Sequence, residues 1–467
     1  MNNFFLRRFL VAFLVVAAAA SPAQAKRKPF VVNIAVGGST PPPAGFSSVA
    51  ESVDYLDPDA LRQMFPGIDT DRVLASLDFR GIDIGLLFFD STDTGTNEGP
   101  GKLGFSVPDI GFSREFGRTC DPRFPDDCRL ARKEALRELR DFLESNPMFL
   151  KRLLTALARF SPIDPLAGNP ASLFSRRMRG DFTHGFTNKV SQIWGCGTSA
   201  FNFTNDTPIQ VAAAGGAGDI FAEAQARAAE LQAQNEFGIG LTASTTTAKS
   251  TGGDYVTTGF DLPISYTAKF DSDPRKKFHV DFPLSYTDTD GAVSYSVGLG
   301  FAYTHPLSDV WSLTPAIGVG ATGSDDLGSA GGVSSYSLTS AYTWRLGGFA
   351  LSMGNGVGLY DALALKIGDV EAEADISNTV FTNGFLLTGP NSLIAKNLII
   401  EYSLVDTRIT GDEVYTDGYD EIGVALGHIN TTMGVIDSYT KVGVSYLIAQ
   451  GDFEDISSLR LNLSVRF

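Results

Sequence analysis

From residue 237 onward the chain alternates apolar and polar positions in short runs. Over 293–304, Val293, Tyr295, Val297, Leu299, Phe301 and Tyr303 alternate with Ser294, Ser296, Gly298, Gly300, Ala302 and Thr304. Successive side chains of a strand project to opposite faces, so this period of two predicts a strand with one apolar face. The pattern recurs over 278–286, 311–319, 336–344, 398–404, 422–426 and 442–448, with weaker runs beginning near Phe237, Val256, Phe349 and Val380. The last run carries Leu459, Leu461, Leu463, Val465 and Phe467 on one side and Arg460, Asn462, Ser464 and Arg466 on the other. About twelve antiparallel strands are predicted. Asp290-Gly291 and Leu346-Gly347-Gly348 read as hairpin turns, and residues 322–332 and 366–377 as longer outer loops.

The polar side of these strands is mostly Gly, Ser, Ala and Thr. A soluble sandwich would put charges on its outer face. Small polar residues on one face suit an interior crowded by something else or a narrow lumen, and aromatic residues near both strand ends suit the two interfaces of a bilayer. A final alternating strand closed by an aromatic, Phe467, resembles the Gram-negative outer-membrane β-barrels. That resemblance implies Phe467 as the signal read by the barrel-assembly machinery. It also implies outer-membrane lipid and lipopolysaccharide as surroundings.

The other end of the chain agrees. Arg7 and Arg8, the apolar run 9–20 and Ala23-Gln24-Ala25 form the three zones of a secretory signal peptide over 1–25. Twelve apolar residues fall short of the ~20 that a spanning helix needs. Export with spans made only of strands points to the cell outer membrane.

Composition divides the remainder near residue 236. Of fourteen tyrosines only Tyr55 precedes it, and all three cysteines do. Residues 237–467 hold 12 Lys and Arg against 26 Asp and Glu, and residues 26–236 hold 23 against 27. An acidic balance excludes nucleic acid as a partner, since phosphates demand a basic surface.

Residues 26–214 read as an α+β domain. An extended segment over 29–36 is followed by a short helix over 57–64. Two strand-like runs flank Arg80-Gly81, and two helices over 129–144 and 147–160 are separated by Ser145-Asn146-Pro147. Residues 215–236 form a linker in which 219–235, capped by Asp219 and rich in Ala, predicts a thin helix. A slim helix running into a twelve-strand barrel resembles the autotransporter translocator domain. In that family such a helix threads the pore and joins the barrel to an exported passenger.

Charged residues at inward strand positions are the candidates for a lumenal site: Asp281, Glu401, Lys441, Arg460 and Arg466. They either pair into an interior network or line a conducting path. The acidic groups Asp369, Glu371, Glu373 and Asp375, and Asp412, Glu413, Asp417, Asp420 and Glu421, lack the spacing of a cation-binding loop and read as solvated loops. Cys120 and Cys128 bracket a turn-rich loop suited to a disulfide in an oxidising compartment, while Cys196 could pair with either or stay free. The sequence predicts no cofactor and no metal, the three cysteines and His184 being too few ligands. It contains no hydrolase or nucleotide motif. Three classes of function follow: passage across the outer membrane, by export of its own N-terminal domain or as a gated channel; a surface binding, adhesion or structural protein anchored by its barrel; and, last, an outer-membrane hydrolase.

Overall fold

The computed structural model describes residues 27–186 and 235–466, apart from 37–38, 57–62, 65–72, 89–100, 122, 168, 250–252, 309, 347–348, 368–369, 373, 391–397, 430–438 and 450–455. The stretch expected to be a signal peptide, Cys196, Phe467 and all of the predicted helix but Asn235 lie outside the described residues.

The first part is a six-stranded antiparallel sheet with helices on one face. Its strands are β1 (Phe30–Val36), β2 (Ala44–Phe46), β3 (Val73–Phe79), β4 (Ile82–Phe88), β5 (Leu103–Val107) and β6 (Phe112–Phe116), in the order β2-β1-β3-β4-β5-β6. The hairpin of β3 and β4 turns at Arg80 and Gly81, with φ of 59° and 97°. Both central residues of a type I′ turn have this sign, and its twist matches that of the flanking strands. Helix α1 spans Val49–Tyr55, where the Ser48 hydroxyl accepts from the Glu51 N–H at 3.2 Å. Of the helix expected over 57–64, residues 57–62 lie outside the described residues, and Gln63 and Met64 are helical. Helices α2 (Pro125–Ser145) and α3 (Pro147–Phe160) lie on either side of the Asn146 break, and Asn146 caps α3 by accepting from the Phe149 N–H at 3.0 Å. Phe105, Phe112, Phe116, Phe142 and Phe149 interlock between sheet and helices with centroids 4.7–5.9 Å apart. Aromatic contacts at such spacing add to area burial.

Cys120 and Cys128 are disulfide-bonded at the start of α2. Arg118 bonds Asp127 at 2.7 Å and Glu134 at 2.9 Å, and Arg123 bonds Asp121 at 2.6 Å. These guanidiniums hold the Asp121 and Asp127 carboxyls below the usual carboxylate range. Closing so short a loop restricts the unfolded chain by about 2–3 kcal/mol. Reducing the bond, or Cys128→Ser, is therefore expected to lower the stability of the N-terminal part by that amount, read as a lower unfolding midpoint in differential calorimetry, while leaving barrel unfolding unchanged.

The second part is a closed antiparallel barrel of twelve strands. Seven are β7 (Glu236–Ala248), β8 (Tyr255–Phe270), β9 (Asp273–Thr289), β10 (Ala292–Pro306), β11 (Trp311–Ser324), β12 (Ser329–Leu346) and β13 (Phe349–Leu363). A small hairpin, β14 (Leu365–Ile367) and β15 (Val370–Ala372), stands outside the wall. The wall resumes with β16 (Ser377–Pro390), β17 (Leu398–Gly411), β18 (Gly418–Ile429), β19 (Tyr439–Ala449) and β20 (Ile456–Arg466), which pairs with β7. All twelve strands expected from periodicity are present. Residues 322–332 are not a long loop, however: β11 and β12 run on and are joined by a tight turn in which Gly328 has φ 56°.

Large apolar side chains cover the outside of the barrel, with Tyr295, Ile317, Leu359 and Ile422 each more than half exposed. Thr, Ser, Gly and a few charged residues face in. The even strand count brings the start of β7 and the end of β20 to one end. The N-terminal part sits on the other as a cap. Val49 N–H bonds the Asp326 carbonyl at 2.9 Å, Lys28 Nζ the Asp290 carbonyl at 2.9 Å, and Tyr415 N–H the Ala158 carbonyl at 3.1 Å. Lys151 pairs with Asp375 at 3.4 Å, and Arg159 with Glu413. Two members of the acidic loops are thus docking points for α3. One continuous apolar cluster runs from Phe30, Ile82 and Leu103 in the cap to Tyr255, Leu327, Val333 and Tyr419 in the barrel mouth.

Candidate functional site: a filled lumen

After α3 the chain turns into the barrel. The described residues of 161–172 are buried, and helix α4 (Leu173–Phe186) follows inside the wall, beside β10–β13 and β16. Its apolar residues Phe174, Met178, Phe182 and Phe186 recur every fourth position, the spacing of one helical face. Phe182 and Phe186, with ring centroids 5.0 Å apart, pack on Leu386, Val405 and Ala425. Leu166 lies over Gly331 near the capped end of β12, and Phe186 over Gly354, well down the adjoining strand.

The wall is shaped for this helix. A Cβ at Gly320 would come within 2.9 Å of the Leu173 side chain, one at Gly356 within 2.9 Å of Phe182 and one at Gly384 within 2.8 Å of Phe186. Gly300 and Gly318 lie under the Arg177 guanidinium. Glycine at these inward positions removes side-chain volume where the helix needs it, since interiors pack to crystal-like density.

Polar residues on the other side of α4 meet the acids of β8 and β9. Arg177 Nε donates to Asp181 at 2.9 Å, and its Nη1 to Asp281 at 3.3 Å. Arg176 pairs with Asp261 at 2.8 Å. His184 Nε2 meets the other Asp281 oxygen, and its ring lies 5.8 Å from that of His279. His279 in turn bonds Thr267 at 3.0 Å and Thr304 at 3.2 Å. On the far wall Lys441 pairs with Glu401, and Arg460 with Glu421 at 3.3 Å, while Arg460 Nη2 also donates to the Pro170 carbonyl at 3.0 Å. Buried ions are paired and hydrogen-bonded because lone ones cost several kcal/mol each.

Of the five lumenal candidates, Asp281, Glu401, Lys441 and Arg460 are buried inward and stand in ion pairs. Arg466 is opposite Tyr439 and Gly238 on the barrel seams. What sequence reasoning missed is α4 itself, with Arg176, Arg177, Asp181 and His184. The inward glycines of β10–β13 and β16 were the available signal.

Where the cap meets the mouth, Arg80 is fully buried at the tip of its hairpin. It pairs with Asp164, and its Nη1 donates to the Leu327 carbonyl at 3.1 Å. Burial pulls its pKa below the usual guanidinium value, opposed by Asp164. Among the described residues no group of His, Cys, Asp and Glu is arranged to hold a metal ion.

A closed antiparallel barrel with an apolar belt outside and polar residues inside is the construction of outer-membrane β-barrel proteins. No protein-family model and no curated protein matches the sequence. Solved structures similar to it include the translocator domain of the autotransporter NalP from Neisseria meningitidis, at 14% identity over 53% of this chain and 96% of that one, with a TM-score of 0.35. The β-domain of the Bordetella autotransporter BrkA matches at 14% identity over 50% and 98%, with a TM-score of 0.37. An outer-membrane channel from Pseudomonas putida F1 matches at 12% identity over 50% and 94%, with a TM-score of 0.34.

Proposed function

We propose that this protein is an outer-membrane barrel that passes its own N-terminal part through its lumen and keeps it as a cap on the outer mouth. The path of the chain carries this reading. The cap closes one end, α4 descends from it inside the wall, and β7 begins at the opposite end. A helix upstream of the first strand that occupies the pore is the arrangement expected of an exporting barrel. The shared apolar cluster and the buried Arg80–Asp164 pair favour retention of the cap over its release. Glycines fitted to α4 favour a permanent occupant of the lumen over a gated channel, in which the helix would have to leave. We read the lumenal charges as structural and assign no catalytic role.

An epitope inserted within 89–100, between β4 and β5, is expected to be labelled by antibody on intact cells and to be removed by external protease, with the barrel protected. An epitope that is reached only after the outer membrane is permeabilised would place the cap in the periplasm and end the export reading.

A further inference from the structure

The ladders from β11 through β12, β13, β16, β17, β18, β19 and β20 to β7 run without a break. Three other seams are interrupted. Between β7 and β8 the pair Ile239↔Ile264 is followed only by Thr242↔Asp261. Between β9 and β10, Val297↔Leu284 is followed by Gly300↔Asp281, and between β10 and β11, Ala302↔Ala316 by His305↔Leu313. Each gap holds a proline, respectively Pro263, Pro283 and Pro315. Proline has no N–H to give to a ladder and is disfavoured inside a sheet. A carbonyl left without its donor is especially costly at membrane depth.

Two of these prolines act together. Pro263 and Pro283 are opposite each other across the β8–β9 ladder, which is continuous from Thr257 to Lys269 and shifts register only at Phe270. The β8–β9 hairpin is therefore bordered on both sides, at one height, by missing hydrogen bonds. Behind it lies a cleft between the hairpin and α4, lined by Leu173, Pro263, Pro283 and Val297. A Cβ at Gly298 would come within 3.0 Å of the Pro283 ring, so the glycine gives the proline room against β10. Across this cleft run the pairs Arg176–Asp261 and Arg177–Asp281. Each aspartate stands two residues before its proline.

We propose that the β8–β9 hairpin is a movable panel of the barrel wall, latched shut by α4 through Arg176 and Arg177. The prolines remove the wall's own fastening at the panel's two edges, and the ion pairs replace it from within. A barrel fastened this way can open at its side before α4 is seated, and the seated helix keeps it closed. The inference holds whichever side of the membrane the cap faces.

Amide hydrogen exchange of the full chain in lipid nanodiscs tests it. The amides of Gly240 and Gly298, in the two seams where a proline leaves a carbonyl without its donor, are expected to exchange about tenfold faster than amides at equal depth on the unbroken β19–β20 seam. Arg176→Ala with Arg177→Ala is expected to raise exchange further at these two edges and to leave β19–β20 unchanged. Pro263→Val with Pro283→Val, which restores two N–H donors, is expected to slow it. Equal protection at all seams in the unaltered protein would overturn the proposal. So would a rise spread evenly round the barrel in the arginine variant.

Discussion

Arg177→Ala is expected to cost about 3–5 kcal/mol of barrel stability, because it leaves two buried carboxylates without their common cation. Asp181 and Asp281 are both nearly inaccessible, and Arg177 is 3% exposed. The loss is read from the temperature at which the barrel changes mobility on a semi-native gel. Since the same guanidinium seats α4 over Gly300 and Gly318, a gain of ion conductance in planar bilayers is expected with it. Arg408→Ala is the control. Arg408 pairs with Asp420 at 3.2 Å but is 53% exposed, and such surface pairs contribute less than about 1 kcal/mol. Equal effects of the two substitutions would mean that α4 is not held by this network.

The second large effect is expected at Arg80. Arg80→Ala strands Asp164 and the Leu327 carbonyl in an apolar mouth, again about 3–5 kcal/mol, but at the junction rather than in the wall. The predicted outcome is a cap cut rapidly by protease while the barrel keeps its gel mobility. Cap and barrel resisting together, as before, would show that the shared apolar cluster suffices without the arginine.

The strands were legible because lipid on one side and a polar interior on the other impose period two on nearly every one of them. That signal fades beyond the membrane belt, where both faces are polar. Thr322, Gly323, Ser324 and Ser329 therefore read as loop although they pair in β11 and β12. The inward charges were legible for a related reason: Asp281, Glu401, Lys441 and Arg460 stand at the polar positions of runs whose alternate positions are apolar. Their partners were less so. Arg177 comes from outside the barrel sequence, and α4 does not look like a buried helix. Arg176, Arg177, Arg179 and Asp181 give it a soluble appearance, yet both its faces are covered, one by apolar wall residues and the other by wall acids. Helix propensity pointed instead to 219–235, where Ala is abundant. Propensity ignores what surrounds a helix, and the lumen glycines, which record that surrounding, lie more than a hundred residues further along the chain.

The central claim is that residues 173–186 occupy the lumen. The most direct measurement is a disulfide cross-link between Phe186→Cys and Gly354→Cys, in a chain carrying Cys196→Ser and a protease site inserted within 187–234. A Cβ at Gly354 would lie within 2.6 Å of Phe186 Cγ, the ring atom next to the Phe186 Cβ, so exchanging the ring for a thiol makes room for the second one at disulfide reach. After oxidation in native membranes and cleavage, the account predicts that the N-terminal fragment stays bonded to the barrel fragment until reductant is added. With Phe385→Cys, which faces outward and is 43% exposed, no bond should form. Separation of the fragments without reductant, or equal linkage to position 385, would contradict a helix inside the barrel.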